Sequence, residues 1–538
     1  MRAKTHLALI LALGGVLSVC ACSNHSRKHA PPAHDAGREP GDAAVRDATT
    51  PRDGAAPALD AAQHQDVDAA DGGGHADAGH DAAANGDDAG STPDASGPMP
   101  YVFTPDPVTM GQNLPSVIPV LRVDVGGQTI QKDVDIAGQL EVFETHDGTL
   151  GDLDTRTPTL TSKIAFQGRG NFTWYQLPKQ GYAFELQDAL GNELDQPLLG
   201  LPAGSDFALY ACYTDKTCLR DALVFALGQQ LGRWSPRTRF VELFIDGDYR
   251  GLYMVWERIR RSPTRVRIPK PAAVSTGDLT GGYIIRHEGI GKGAPRDFTT
   301  TSGIVYSFHY PDVAKLSADQ QTYITTFFQS FEDALQSTPA SCAAWLDVPS
   351  WVDHAIVEEV TNNWDGYVHS IYMVKHADTE GGLLGMDALW DYDLAFGNGN
   401  VGYMDENNVT VQGYSCKTDD WGYQIGRPAP DDVPFYWRSL YAEATFQHAW
   451  KCRYQQLRAG PLSLATIDAQ IAAWKPFTAV ARARDQAKWN TLAMSYPVPN
   501  CFLGLTTYDQ EVDAMHNWIV QRLTWLDTQA AAMPGACP

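Results

Sequence analysis

Two short acidic segments carry the residue types and spacing that metal-assisted chemistry uses. The first is Asn362-Asn363-Trp364-Asp365-Gly366-Tyr367-Val368-His369-Ser370, just after a stretch with helical spacing. The second, Trp390-Asp391-Tyr392-Asp393-Leu394-Ala395-Phe396-Gly397, follows an apolar approach. Asp365 and Asp391 stand 26 residues apart, and Glu380-Gly381-Gly382 between them marks a hairpin turn. Carboxylates at the ends of two paired strands can converge on one divalent cation. Phosphoryl transfer needs that arrangement, with one Asp near the acceptor hydroxyl and another on the ion that bridges the phosphates. The competing reading is structural, because Asp is common in loops and caps strand ends. A metal-dependent hydrolase on the same Asp pair is the weaker alternative, since His287, His309, His354 and His369 are scattered. Of these, His369 is kept as a site candidate because it lies four residues from Asp365.

The elements that must position these residues are legible in outline. Leu121–Val125 and Val134–Phe143 alternate as strands do, and Ser162–Phe166 and Tyr182–Leu186 flank the segment GRGNFTWYQLPKQ. Thr217–Leu231 has an apolar stripe of helical period closed by Gly232. Phe240–Ile245 and Leu252–Ile259 bracket Asp246-Gly247, a strong hairpin signal. Gly282–Arg286 and Ile304–His309 read as further strands. The second half turns helical. Ser317 and Gln320 form a capping box, a second helix runs from about Trp351 to Val360, and a final one carries Val512, Met515, Ile519, Leu523 and Leu526 on one face. That order predicts an α+β fold with a strand-rich N-lobe and a helical C-lobe. Most tryptophans fall on predicted element faces and read as core. Trp421 and Tyr423 are expected to be exposed, in a loop (Tyr403–Asp432) that can cover the site as a lid.

Four blocks in this order resemble the CotH kinase family, atypical protein-kinase-like proteins of bacterial spore coats. They are GRGNFTWYQLPK (Gly168–Lys179), YACYTDKTCLRDAL (Tyr210–Leu223), VELFIDGDYRGLYMVWERI (Val241–Ile259), and NNWDGYVHSIYM with LWDYDLAFG. The resemblance runs from about residue 115 to 530 and implies an atypical protein-kinase-like two-lobe fold. It implies Asp365 as the catalytic Asp and Asp391 as the metal-binding Asp, with Asp393 sharing the ion. It implies Lys179 as the phosphate-contacting cation, reinforced by Arg169 and Arg220, although Arg220 can equally serve a buried ion pair. Glu257 would orient Lys179 or cap a hairpin, and Asn171 and Thr173 would shape a turn. ATP with Mg²⁺ or Mn²⁺ and a protein Ser/Thr acceptor are the implied ligands. Three positions depart from the family pattern: Ser370 stands where a metal-binding Asn is usual, Gln180 where Lys is frequent, and Asp221 where Asn is usual. A hydroxyl is a poorer Mg²⁺ ligand than an amide carbonyl, so the departure at 370 favours a second possibility, a degenerate kinase fold serving as a surface binding module.

Composition bounds where such a protein works. The chain has 538 residues and a formal net charge of −23, without blocks of Lys or Arg, which argues against nucleic acid as a partner. Every Phe, Tyr and Trp lies from Tyr101 onward. Pro31–Pro100 holds 13 Asp, one Glu and three Arg, so residues 23–100 cannot bury enough apolar surface to fold and are expected to form an extended acidic tether. Residues 101–538 form the expected kinase-like domain. Residues 1–22 read as a secretory signal: Arg2 and Lys4 precede the apolar run Leu7–Val19, which is too short to span a bilayer. The run ends in VCAC-S, which resembles a lipoprotein lipobox, with Cys22 the favoured lipidation site and Cys20 the alternative. This predicts an exported protein of the cell envelope, lipid-anchored to the outer membrane or cell surface. Seven further cysteines in an oxidising compartment should partly pair, Cys212 and Cys218 being nearest, and an odd count leaves at least one thiol over.

Overall fold

The computed structural model describes residues 103–538 apart from 145, 271–276, 289–295, 400–415, 425–432, 493 and 495–500. The signal segment, Cys22, the tether and most of the expected lid loop lie outside the described residues.

The first strands are β1 (Val120–Asp124), β2 (Ile136–Phe143), β3 (Leu160–Arg169) and β4 (Gly181–Gln187). A small ribbon, β5 (Gln196–Leu198) with β6 (Leu201–Gly204), precedes β7 (Asp206–Tyr210), β8 (Thr238–Ile245) and β9 (Asp248–Glu257). Seven of these close into a barrel in the order β1-β2-β3-β4-β7-β9-β8, sealed by parallel pairing of β1 with β8. Alternating apolar residues such as Leu121, Leu140, Ile164, Phe184, Phe207, Val241 and Val255 fill its interior as one cluster. The β8–β9 turn is Asp246-Gly247 with both φ positive (48° and 78°), the two-residue geometry that matches strand twist. The Asp246 carboxylate also accepts hydrogen bonds from the Val125 and Gly127 amides, so the same turn pins β1 to β8.

A second sheet comprises β10 (Tyr283–His287), β11 (Phe298–Thr299), β12 (Val305–Tyr310), β13 (Ile371–Lys375) and β14 (Leu384–Ala388), in the order β11-β12-β10-β13-β14. It joins strands from both halves of the chain, so the strand-then-helix order of the sequence is not a separation in space. The β13–β14 hairpin turns at Gly381 and Gly382, both at positive φ, as the Glu-Gly-Gly signal predicts.

Helices enclose this sheet. After the short α1 (Phe172–Gln176) come α2 (Arg220–Gln230), α3 (Ala318–Ser337) and α4 (Val348–Thr361). Then follow α5 (Phe435–Ala442), α6 (Ala444–Arg458), α7 (Leu464–Phe477), α8 (Ala479–Trp489) and α9 (Tyr508–Ala532). The capping box of α3 is present, Ser317 and Gln320 exchanging side-chain and backbone hydrogen bonds. α2 is buried on every side from Arg220 to Gln229, not on one stripe, because α4 and the sheet enclose it within the larger apolar cluster. Disulfides join Cys212–Cys218, Cys416–Cys501 and Cys452–Cys537, and Cys342 is a buried free thiol.

His287, at the end of β10, bonds the Val305 carbonyl at 2.9 Å through Nδ1 while its buried Nε2 has no partner. Burial pushes its pKa down from 6.5 to about 4. The unfolded chain therefore takes up a proton that the folded one refuses, and this contribution to stability is present above pH 6.5 and lost as pH falls to about 4. The expected loss is on the order of 3 kcal/mol. Urea unfolding between pH 7 and 4 should show a shallower decline for His287→Gln, which keeps a donor for Val305 but cannot titrate.

Candidate active site

α4 ends at Asn362, whose φ of 41° makes it a left-handed cap, and the chain then enters the first acidic segment. Asn363 turns its side-chain amide onto the Asp391 carbonyl at 2.9 Å, tying the two acidic segments directly. Asp365 is buried, and its backbone carbonyl accepts from the amides of Val368 and His369 at 3.1 and 2.8 Å. Gly366 packs so closely against Glu358 that an added Cβ would meet Oε2 at 2.1 Å. Tyr367 and Ser370 take positive φ (65° and 56°), as do Asp391 and Phe396 (68° and 51°) in the second segment. Such conformations cost about 1–3 kcal/mol each in non-glycine residues and persist where surrounding bonds over-determine them. They cluster in the two segments that the sequence marks as chemical.

Ser370 leads into β13 and Asp391 follows β14, so the hairpin brings them to one end of the sheet. The Ser370 hydroxyl donates to Asp391 Oδ2 at 3.1 Å, and its amide donates to Glu288 at 3.1 Å. His369 Nδ1 lies 3.9 Å from the other Glu288 oxygen, directing that ring toward Glu288.

A third segment, Tyr210–Asp221, holds the second acidic segment from below. The Asp393 carboxylate accepts from Thr214 Oγ1 at 2.7 Å and from the Tyr210 hydroxyl at 3.2 Å. Asp221 Oδ1 accepts from the Tyr392 amide at 2.8 Å. Arg220 donates to the Ala395 carbonyl at 2.9 Å and to Asp215 at 2.5 Å, with all of these groups buried. Burial first, and then the charge of Asp391, push the Asp393 pKa up to about 7, against the lowering effect of Thr214. Asp221 is pushed well above the carboxylate range by burial and by Asp393 and Asp391.

These groups fit a hard divalent cation by donor chemistry. The acids of the two segments repel one another, Asp391 takes a hydroxyl from Ser370, and the buried Asp221 Oδ2 lacks a hydrogen-bond partner. Among the described residues no three His, Cys, Asp or Glu side chains are grouped so as to hold a metal ion.

The expected cations divide. Arg169, at the end of β3, lies over the Trp390 ring at 4.9 Å, one residue from Asp391. Arg220 is the buried ion pair of the two alternatives. Lys179 and Glu257 do not orient each other: Lys179 Nζ donates to Asp485 of α8 at 2.7 Å and to the Leu252 carbonyl at 2.6 Å. Glu257 holds Arg237 in a bidentate pair at 2.6 and 2.8 Å. The reason is positional, since Glu257 ends β9 whereas Lys179 meets that strand at Leu252. Trp421 and Tyr423 are not free-standing either. Glu359 accepts from the Gly422 and Tyr423 amides, Tyr423 stacks on Tyr441 at 3.8 Å, and Trp421 packs on Trp450 and Trp525. Sequence reading missed Tyr210, Thr214, Glu288 and Asp485 as site neighbours. The first two sit inside a recognised block, while nothing local marks Glu288 or Asp485.

Replacing Arg220 by Ala leaves Asp215 buried and uncompensated. It should destabilise the protein by about 3–5 kcal/mol in urea unfolding, far more than an exposed Arg would.

The profile of the CotH kinase protein family matches residues 166–526, about two thirds of the chain, and spans both acidic segments and the Tyr210–Asp221 segment. No curated protein matches the chain. Because that match covers well over half of the sequence, the chain belongs to the CotH kinase protein family.

Proposed function

We propose that the protein is an exported, metal-dependent protein kinase that transfers the γ-phosphoryl group of ATP to a Ser or Thr hydroxyl of a surface or periplasmic protein. The observation that carries this reading is that Asp391 is held by Ser370 at one end of the β13–β14 hairpin while its charge and that of Asp365 bear on the buried Asp393. In this reading the barrel, with its own apolar interior, is the N-lobe, and the second sheet with its helices is the C-lobe. Asp391 and Asp393 would hold Mg²⁺ or Mn²⁺, and the ion would supply neutralisation of the phosphate oxygens. Asp365 accepts the proton of the attacking hydroxyl as its oxygen bonds to phosphorus, and the electrons of the broken P–O bond leave with ADP. Ser370 and Asn363 fix Asp391 through its side chain and its carbonyl, so the acid need not reorganise. Arg169 sets positive charge at the edge of the site.

Three disulfides suit an oxidising compartment and support the export that the leader predicts, with Cys22 carrying the lipid that meets the bilayer. A second reading, a kinase fold retained as a surface binding module, is favoured by one observation. Lys179 is fully buried and already satisfied by Asp485 and Leu252, not held open toward the carboxylates.

Calorimetry of the full chain with Mg²⁺–ATP and Mn²⁺–ATP, beside Asp391→Asn, separates the two. Asn tolerates the positive φ at 391 and preserves the acceptor for Ser370, so the variant tests charge alone. Micromolar, metal-dependent binding that is lost in the variant is the expected result. A folded protein that binds neither complex would overturn the kinase reading in favour of the binding module.

A further inference from the structure

α2 opens with two consecutive charged residues that both lie inside the protein, Arg220 and Asp221, at 0% and 1% exposure. The Arg220 Nη2 lacks a hydrogen-bond partner, but its Nε is bonded by the Ala395 carbonyl and its charge is balanced by Asp215 at 2.5 Å. Asp221 has no such counter-charge among the groups that bear most on it. One oxygen accepts from the Tyr392 amide, the residue between Asp391 and Asp393, and the other has no hydrogen-bond partner although it is cut off from water. A buried carboxylate oxygen without a donor is costly, and native structures rarely retain one without a purpose. The ionisable groups whose charges bear most on Asp221 are Asp393, Asp391 and Asp215, all acidic. If its task were only to hold the Tyr392 amide, a neutral side-chain carbonyl would perform it without adding repulsion.

We propose that Asp221 Oδ2 is a further ligand for the divalent cation at the Asp391–Asp393 site. This rests on the reading of that site given above and deepens it. Asp221 approaches from α2, whereas the other two acids come from the segment after β14, so the ion would be gripped from two elements. An added carboxylate also raises the charge count that sets affinity for a hard cation. Oxygen from Asp221 offsets the weakness of the Ser370 hydroxyl as a ligand.

The test uses the full chain, stripped of metal, with Mn²⁺ alone as probe and no nucleotide. Asp221→Asn keeps an acceptor for the Tyr392 amide and removes the charge. The expected result is a metal-free melting temperature equal to or above that of the wild type, a dissociation constant for Mn²⁺ raised at least tenfold, and a smaller Mn²⁺-induced rise in melting temperature. A variant with unchanged Mn²⁺ affinity overturns this proposal while leaving the Asp391–Asp393 site standing. A wild-type chain that does not bind Mn²⁺ overturns both. Should Asp221→Asn fail to fold, Asp221→Ser is measured in its stead against the same two outcomes.

Discussion

A guanidinium buried at the start of α2 sets the geometry on which the site depends. Arg220 pairs with Asp215 five residues earlier and reaches the Ala395 carbonyl across 175 residues of chain. The short loop before it is pinched by the Cys212–Cys218 disulfide, with both cysteines at positive φ. That pinch leaves Asp215 to accept from the Thr217 amide and the Arg220 amide as well as from the guanidinium. A buried ion pair of this kind contributes little net stability, because desolvation consumes most of the Coulomb gain. Its effect is to specify one register between two distant segments. Tyr392, Asp393 and Ala395 each find a partner in Tyr210–Asp221 only in that register.

A second buried pair performs the same office for the first acidic segment. Glu359 near the end of α4 meets Arg522 of α9 at 2.9 Å, both fully buried. The carboxylate also accepts from the Tyr367 hydroxyl at 2.8 Å, and Arg522 reaches the Glu359 and Asp420 carbonyls at 2.6 Å each. Tyr367 is one of the residues held at positive φ, so the strain of the loop is borne by a hydrogen bond anchored in the helical core. The two pairs thus act on the two acidic segments from different elements, and Asn363 joins the segments to each other.

What the sequence made legible follows from which signals are local. Period-two alternation and the Asp246-Gly247 turn identify β1–β4, β8 and β9, and Ser317 with Gln320 announces α3, because each depends on neighbours in the chain. Nothing in alternation distinguishes a closed sheet from an open one, so the barrel and its parallel β1–β8 seam appear only in three dimensions. α8 lacks a local signal of that kind, because it is polar over most of its surface and buries Ala481 alone. The acidic residues of the site could be named because they fall in short motifs. Their partners could not, since Glu288 is separated from Ser370 by 82 residues and Asp485 from Lys179 by 306.

The position of Asp485 bears on how Lys179 can take part in chemistry at all. α8 lies along the β8–β9 hairpin through Arg484 with Glu242, Lys488 with Asp248 at 2.8 Å and Trp489 Nε1 with the Arg250 carbonyl at 2.8 Å, and its Asp485 pairs with Lys179. Asp485 also accepts from the Leu252 amide, and the lack of a side chain at Gly251 makes room for it, since an added Cβ would lie 2.1 Å from its carboxylate. Burial alone lowers the Lys179 pKa, and Asp485 acts in the opposite sense to hold the proton on. Lys179 is therefore sealed inside the protein with Asp485 as its counter-charge, its ammonium directed to that carboxylate and to the Leu252 carbonyl. On the other side of the site, burial and mutual repulsion raise the pKa values of Asp221 and Asp393, against the opposing hydrogen bonds from the Tyr392 amide and Thr214. The structure thus holds a sealed, paired ammonium on one side and, on the other, acids raised in pKa by burial and by one another.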